Sequence, residues 1–199
     1  GAKIGYGSIA QPKFDTQLFA DGERYSLGDV TLEIRHTPGH TPESISVVIY
    51  EQATDTTPYG VLTGDTLFIG DVGRPDLLVS VGMTSNELGH LLFASLRDKL
   101  LTLPDSTRVF PAHGAGSACG KNLSTETMST IGEQRRTNYA LQFTNIDQFI
   151  NVVTEGQPPA PGYFVYDAQL NSQDRAVLDE HALPTRLSVD EVVKLSSAG

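Results

Sequence analysis

The sequence predicts an α/β fold in which strands and helices alternate along the chain. Residues 28–37 (GDVTLEIRHT) and 44–51 (SISVVIYE) alternate apolar and polar positions, which is typical of strands. Residues 85–102 carry leucine and phenylalanine at helical spacing, which predicts an amphipathic helix. Together these patterns predict a sheet whose loops converge at one edge.

The N-terminal elements follow from turn residues. The first strand should end near His36, because a Pro-Gly turn follows it. A strand over 61–63 should stop at Gly64-Asp65 for the same reason. The helix over 85–102 should begin after a threonine or serine cap and end before a proline.

The C-terminal elements are shorter. A strand over 107–111 precedes a glycine-rich loop, and a capped helix is predicted near 125–138. Residues 145–156 predict another helix, and 157–163 an irregular tail. The remainder is interpreted as a linker followed by the opening of a further helix.

Composition and charge exclude several classes of function. The 199 residues are 39% hydrophobic and 19% charged, and no apolar run approaches the roughly 18 residues of a membrane span. A formal net charge of -10 would repel a phosphate backbone, so we expect no nucleic-acid partner and no membrane association. The single cysteine, Cys119, excludes an intrachain disulfide and favours a reducing, cytoplasmic location.

His40, Asp65 and His113 are candidate metal ligands, because each lies just past a predicted strand end. Imidazole nitrogen binds iron or zinc, and carboxylate oxygen adds an anionic ligand. The alternatives are a turn histidine for His40, a turn-capping aspartate for Asp65 and a hydrogen-bonded core histidine for His113. The residues alone leave each choice open.

Arg74 is the candidate substrate-binding residue. It lies in a loop rich in turn formers, and its planar guanidinium fits a substrate carboxylate. The alternative is a surface ion pair with Asp71 or Asp76.

The other histidines and the cysteine are assigned no part in the site. His36 falls inside a strand pattern, and His90 and His181 fall on helix or linker positions at the surface. Cys119 is interpreted as a small buried hydrophobic residue. Its loop, GAGSACG, lacks the lysine of a phosphate-binding loop and is interpreted as a tight turn beside His113.

Four motifs occur in a specific order: HTPGHT (36–41), LTGDTLF (62–68), GRPDL (73–77) and FPAHGAG (110–116). This order resembles the second half of the metallo-β-lactamase fold, and most closely its persulfide dioxygenase branch, including proteins fused to a rhodanese. The resemblance covers roughly residues 1–165. It implies an αββα fold, an α+β sandwich of two mixed sheets with helices outside and a site at one edge.

The same resemblance implies roles for individual residues. His40 and Asp65 match metal ligands, and His113 matches the histidine that serves the second metal in dinuclear relatives. Arg74 matches a family arginine near the site, which implies a glutathione contact. The implied cofactor is Fe(II), held as in the two-histidine-one-carboxylate sites of non-haem iron enzymes, and the implied substrate is glutathione persulfide.

The sequence departs from the family pattern in two places. The first metal motif, H-x-H-x-D-H, belongs upstream of these residues, yet no histidine precedes His36. We therefore expect a chain that lacks the N-terminal strands, binds iron or zinc weakly and is inactive by itself. The aromatic residue that follows the last histidine in several glutathione-using relatives is also absent, since Gly114 follows His113.

The sequence leaves three functions open. The leading one is a non-haem iron persulfide dioxygenase that converts glutathione persulfide into sulfite and glutathione. The second is a glyoxalase-II-like hydroxyacylglutathione hydrolase, in which a dinuclear zinc site activates water. The third is a non-catalytic scaffold that keeps the fold. His40, Asp65 and His113 belong to both enzyme families, so metal content, one iron or two metal ions, discriminates between them.

The domain assignment also rests on resemblance. Residues 1–165 are assigned to the metallo-β-lactamase-like domain, and residues 166–199 to a linker and the start of a rhodanese domain, because residues 183–195 (LPTRLSVDEVVKL) resemble the entry into such a domain. An uncovered apolar sheet surface would favour a homodimer.

Overall fold

A six-stranded mixed sheet lies at the centre of the structure, a computed structural model that describes residues 2–77, 82–157, 159–174 and 186–197. The strands are β1 (Gly5–Gly7), β2 (Gln17–Phe19), β3 (Arg24–Leu27), β4 (Val30–His36), β5 (Ile45–Tyr50), β6 (Gly60–Gly64), β7 (Arg108–Pro111) and β8 (Ser129–Thr130). The large sheet has the order β3-β4-β5-β6-β7-β8 and is antiparallel except between β6 and β7. β1 and β2 form a separate parallel pair.

Chain direction brings three loops to one edge of this sheet. β5 returns antiparallel to β4, so the loop that carries His40 lies where β4 ends. β6 runs antiparallel to β5 and ends at that edge, and β7 runs parallel to β6 with Pro111 opposite Gly64. Asp65 and His113 follow these two strands and therefore lie at the same edge. The strand ends predicted near His36 and at Gly64-Asp65 are confirmed.

The helices are α1 (Ser85–Ala94), which continues as a π-helix (Ser95–Leu100), α2 (Ile131–Thr137), a 3₁₀ turn (Tyr139–Gln142), α3 (Ile146–Thr154), α4 (Phe164–Asn171) and α5 (Val189–Ser197). Helices α1 to α3 cover one face of the sheet, whereas α4 and α5 contain no buried residue. Thr84 caps α1 through a capping box with Glu87, as the sequence predicts. Leu92 and Leu96 are fully buried in the core that also contains Val48, and burial of each leucine contributes about 1.5–3 kcal/mol.

The opposite face of the sheet is apolar and half exposed. Side chains alternate along a strand, so Leu62 points away from its fully buried neighbours Val61 and Thr63, and it is 45% exposed. Ile49 is likewise more exposed than Val48. These exposures agree with the expected apolar sheet surface, whereas a homodimer remains a prediction.

Two C-terminal elements differ from their predicted positions. The helix expected near 125–138 begins only at Ile131, because residues 129–130 first pair with β7 as β8. Residues 164–171 form α4, which the sequence pattern does not predict. His181 lies outside the described residues, and the boundary at residue 165 and the rhodanese segment remain predictions. None of the described helices combines the length and apolar character needed to cross a membrane.

Candidate metal centre

His40 is held rigidly in the loop between β4 and β5 and is 7% exposed. A Cβ at Gly39 would stand 2.4 Å from the Cα of Leu92, and the φ of Gly39 is +148°, so glycine is required there. His40 Nδ1 lies 2.9 Å from the backbone carbonyl oxygen of Arg74. That oxygen only accepts, so Nδ1 carries a hydrogen and donates it, which directs Nε2 toward the centre.

The Asp65 carboxylate lies between two histidines. Its Oδ2 is 3.2 Å from His40 Nε2, and its Oδ1 is 2.8 Å from His113 Nδ1. Gly64, with a φ of +54°, turns the chain at the end of β6 and so aims Asp65. The contact with His113 does not have hydrogen-bond geometry, and the buried Oδ1 has no hydrogen-bond partner among the described residues. A buried carboxylate oxygen without a donor is suited to a cation.

His113 is the most open member of the group. Its side chain is 42% exposed, and its ring centroid lies 6.1 Å from that of Phe68. The structure therefore brings His40, Asp65 and His113 to one place. Their role as metal ligands remains a prediction.

Cys119, for which the sequence predicts no role in the site, belongs to the same cluster. Its Sγ, a ring nitrogen of His40 and a carboxylate oxygen of Asp65 all lie within 4.8 Å of one another. The small residues between His113 and Cys119 allow the loop to fold back across the centre. That run of glycine, alanine and serine is the only local sequence signal that could have suggested this return.

Arg74 contributes to the centre through its backbone. Its side chain is 1% exposed, and its Nε and Nη2 donate to the two carboxylate oxygens of Asp76 at 2.7 and 2.6 Å. This is one of the two ion pairs considered from the sequence, except that it is buried rather than at the surface. The backbone carbonyl of Arg74 meanwhile accepts from His40. Substrate binding by Arg74 remains a prediction, but this fork is already held by Asp76.

The charges of the cluster are strongly coupled. Burial disfavours protonation of His40, but hydrogen bonds and charge from Asp65 and Cys119 outweigh it and raise the pKa of His40 to about 9. Burial also acts to raise the pKa of Asp65, yet its hydrogen bond with His40 and the nearby histidine charges lower that pKa overall. Without a metal ion, the centre is therefore an imidazolium beside a carboxylate at neutral pH.

The donor set fits a divalent transition metal. Imidazole nitrogen, carboxylate oxygen and thiolate sulfur are ligands of zinc and iron. Two ligands of one tetrahedral ion, each about 2.0–2.3 Å from it, lie roughly 3.3–3.8 Å apart. The distance of 3.2 Å between His40 Nε2 and Asp65 Oδ2 is close to that range. In the metal-free protein, the proton on His40 takes the place of the cation.

Comparison of the sequence with known proteins finds relatives that match part of their own length. No family model matches the chain. An uncharacterized protein of Mycobacterium tuberculosis is 39% identical over 132 residues, 66% of this chain and 50% of that protein. The mitochondrial persulfide dioxygenase ETHE1 of Mus musculus is 30% identical over 141 residues, 71% of this chain and 47% of that protein. Glyoxylase B2 of Dictyostelium discoideum is 32% identical over 146 residues, 72% of this chain and 44% of that protein.

Similarity to solved structures shows that the chain has a large part of the metallo-β-lactamase fold. A metallo-β-lactamase from Staphylococcus aureus is similar with a TM-score of 0.80 and 32% identity, over 92% of this chain and 54% of that one. ETHE1 from Myxococcus xanthus is similar in fold, with a TM-score of 0.68 and 24% identity over 86% of this chain and 65% of that one. The chain spans about half the length of the curated relatives it matches.

The raised pKa of His40 predicts a pH-dependent stability in the metal-free chain. The folded state binds this proton more tightly than the unfolded chain, so the stabilisation is complete below about pH 6.5 and is lost as pH rises through about 9. At about 1.4 kcal/mol for each pH unit between 6.5 and about 9, the loss is about 3 kcal/mol. Urea unfolding in chelator across this range measures it. His40→Gln should remove this component, and parallel profiles for variant and wild type would contradict the assignment.

Gly73 packs directly against Asp65 and His40. A Cβ at this position would stand 1.8 Å from the backbone oxygen of Asp65 and 3.1 Å from His40 Nδ1. We expect Gly73→Ala to displace the loop and weaken Zn(II) binding about tenfold or more, measured by competition with a chromogenic chelator. Gly114→Ala is the matched control, because its Cβ would only touch the Ser124 oxygen at 3.5 Å. Equal affinity in both variants would show that this contact does not support the site.

Proposed function

We propose that this chain, which has a large part of the metallo-β-lactamase fold, carries part of the active site of an iron-dependent persulfide dioxygenase. The observation that carries the proposal is the pair formed by His40 Nε2 and Asp65 Oδ2, at 3.2 Å. A histidine and a carboxylate at that separation supply two of the three ligands of a two-histidine-one-carboxylate iron site. The similarity to the mouse persulfide dioxygenase supports the choice of reaction.

The residues of this chain hold and orient the metal. His40 binds through Nε2, because its Nδ1–H is committed to the Arg74 carbonyl. Asp65 supplies the negative charge, and its lowered pKa keeps it ionised. Fe(II), when bound, supplies the redox chemistry that reduces O2 and oxidises the sulfane sulfur. His113, the most exposed of the three, stands where substrate reaches the centre.

The proposed substrate is glutathione persulfide. One persulfide, one O2 and one water give glutathione, sulfite and two protons, so the sulfane sulfur supplies four electrons to oxygen. Burial of His40 and Arg74, together with the loop of Cys119 that folds across the centre, limits the access of water to the bound reactants. Arg74 contributes by fixing the His40 ring, and a direct glutathione contact is an additional role that requires release from Asp76.

A thioester hydrolase is the second candidate. One oxygen of Asp65 faces His40 and the other faces His113. A carboxylate placed in this way suits a bridge between two metal ions, which could lower the pKa of an attacking water. The similarity to Glyoxylase B2 supports this alternative.

One set of assays distinguishes the dioxygenase from the hydrolase. The sample is the full-length protein, loaded with Fe(II). With glutathione persulfide, we expect oxygen-electrode uptake and stoichiometric sulfite. Asp65→Asn keeps the shape of the side chain but removes its charge, so iron content and oxygen uptake should both fall at least about 100-fold. Asp147→Asn, at an exposed carboxylate on α3, is the matched control and should retain both.

The outcomes are distinct. Rapid cleavage of a lactoylglutathione thioester with two bound metal ions and no oxygen uptake would replace the dioxygenase by the hydrolase. Full oxygen uptake in Asp65→Asn would contradict the role given to the carboxylate in either enzyme.

A further inference from the structure

We infer that the Cys119 thiolate is a metal ligand, so that His40, Asp65 and Cys119 form a nitrogen, oxygen and sulfur site for a thiophilic divalent cation such as Zn(II), Co(II) or Cd(II). The inference concerns the centre of the proposed function and rests on it only in requiring that His40 and Asp65 bind a metal ion. It adds a ligand of a different chemical class. The site would be built entirely from residues of this chain.

The distances within the cluster support this assignment. The three ligand atoms lie within 4.8 Å of one another. A tetrahedral ion with bonds of about 2.0–2.3 Å requires ligand separations of roughly 3.3–3.8 Å, so the sulfur needs to approach by about 1.5 Å at most. The sulfur is therefore directed at the same point as the nitrogen and the oxygen.

The loop holds Cys119 in place from both sides. The backbone N–H of Arg74 donates to the Cys119 carbonyl at 2.9 Å, and the Cys119 N–H donates to Ser117 Oγ at 3.2 Å. On the far side, the N–H groups of Lys121 and Asn122 donate to one oxygen of Asp71 at 2.6 and 2.7 Å. Because these four hydrogen bonds already order the backbone around Cys119, binding of an ion by its thiol requires little further ordering of the loop.

The neighbouring residue confirms how closely this loop packs. A Cβ at Gly120 would stand 2.9 Å from Asp71 Oδ2 and 2.5 Å from Leu123 Cδ1. Glycine therefore lets the chain approach Asp71 directly after Cys119. The position of the thiol depends on this buried carboxylate as well as on the metal centre itself.

Cobalt(II) tests the inference in the 199-residue chain. Because Cys119 is the only cysteine, a sulfur-to-cobalt charge-transfer band in the near ultraviolet can arise only from this residue. We expect the band to saturate at one Co(II) per chain and to be missing in Cys119→Ser. Visible Co(II) bands that reach saturation without the ultraviolet band would overturn sulfur ligation and leave the proposed function intact. No Co(II) binding at all would overturn the inference, whereas the proposed function is decided by iron content and oxygen uptake of the whole protein.

Measurements of metal affinity distinguish loss of a sulfur–metal bond from a structural effect of the Cys119→Ser substitution. Cys119→Ser should weaken Cd(II) binding about tenfold or more but change Mn(II) binding by less than about threefold, because manganese prefers oxygen ligands. Equal weakening for both ions would show that Cys119 only supports the loop, and this would overturn the inference. Sulfur ligation without oxygen uptake by the whole protein would sustain the inference while the dioxygenase proposal fails.

Discussion

The position of the Asp65 carboxylate between His40 and His113 is the constraint on which the centre depends. Antiparallel and parallel pairing bring three strand ends to one edge of the sheet, and Gly64 then turns Asp65 between the histidines. The negative charge raises the pKa of His40, which in turn helps to keep the pKa of Asp65 low. A cation placed there would relieve the same electrostatic demand that a proton satisfies in the metal-free chain.

A second buried carboxylate shows why Asp65 is distinctive. Asp71 is fully buried, and its two oxygens accept hydrogen bonds from the backbone of Val72 and of the Cys119 loop and from the Tyr139 hydroxyl. Burial and the nearby Asp71 charge raise the pKa of Tyr139, so its hydroxyl remains a donor. Asp71 is satisfied and therefore structural, whereas one oxygen of Asp65 has no donor among the described residues. Asp71, whose oxygens all accept hydrogen bonds, therefore stabilises the loop, whereas Asp65, with one oxygen lacking a donor in the described part of the chain, is suited to bind a metal ion.

Local sequence patterns were sufficient for strands β4 to β7 but not for the edge strands β3 and β8 or for the whole centre. The alternation in β4 and β5 and the Gly-Asp stop after β6 depend on nearest neighbours, so these strand ends could be predicted. The convergence of His40, Asp65 and His113 followed from their positions just past strand ends, and the motif resemblance added their roles as metal ligands. Cys119 could not be found in this way, because its place depends on pairing between Arg74 and a loop more than 40 residues later. The ion pair between Arg74 and Asp76 was expected at the surface. Its burial depends on tertiary packing, which local sequence does not show.

Anomalous diffraction from crystals of this chain grown with Zn(II) tests the central claim most directly. We expect one strong anomalous peak bonded to the Asp65 carboxylate and to His40 Nε2, at about 2.0–2.2 Å from each atom. Its appearance would show that the cation replaces the proton between these residues. Zinc bound elsewhere, with the Asp65 carboxylate still paired to His40, would show that Asp65 and His40 are not metal ligands.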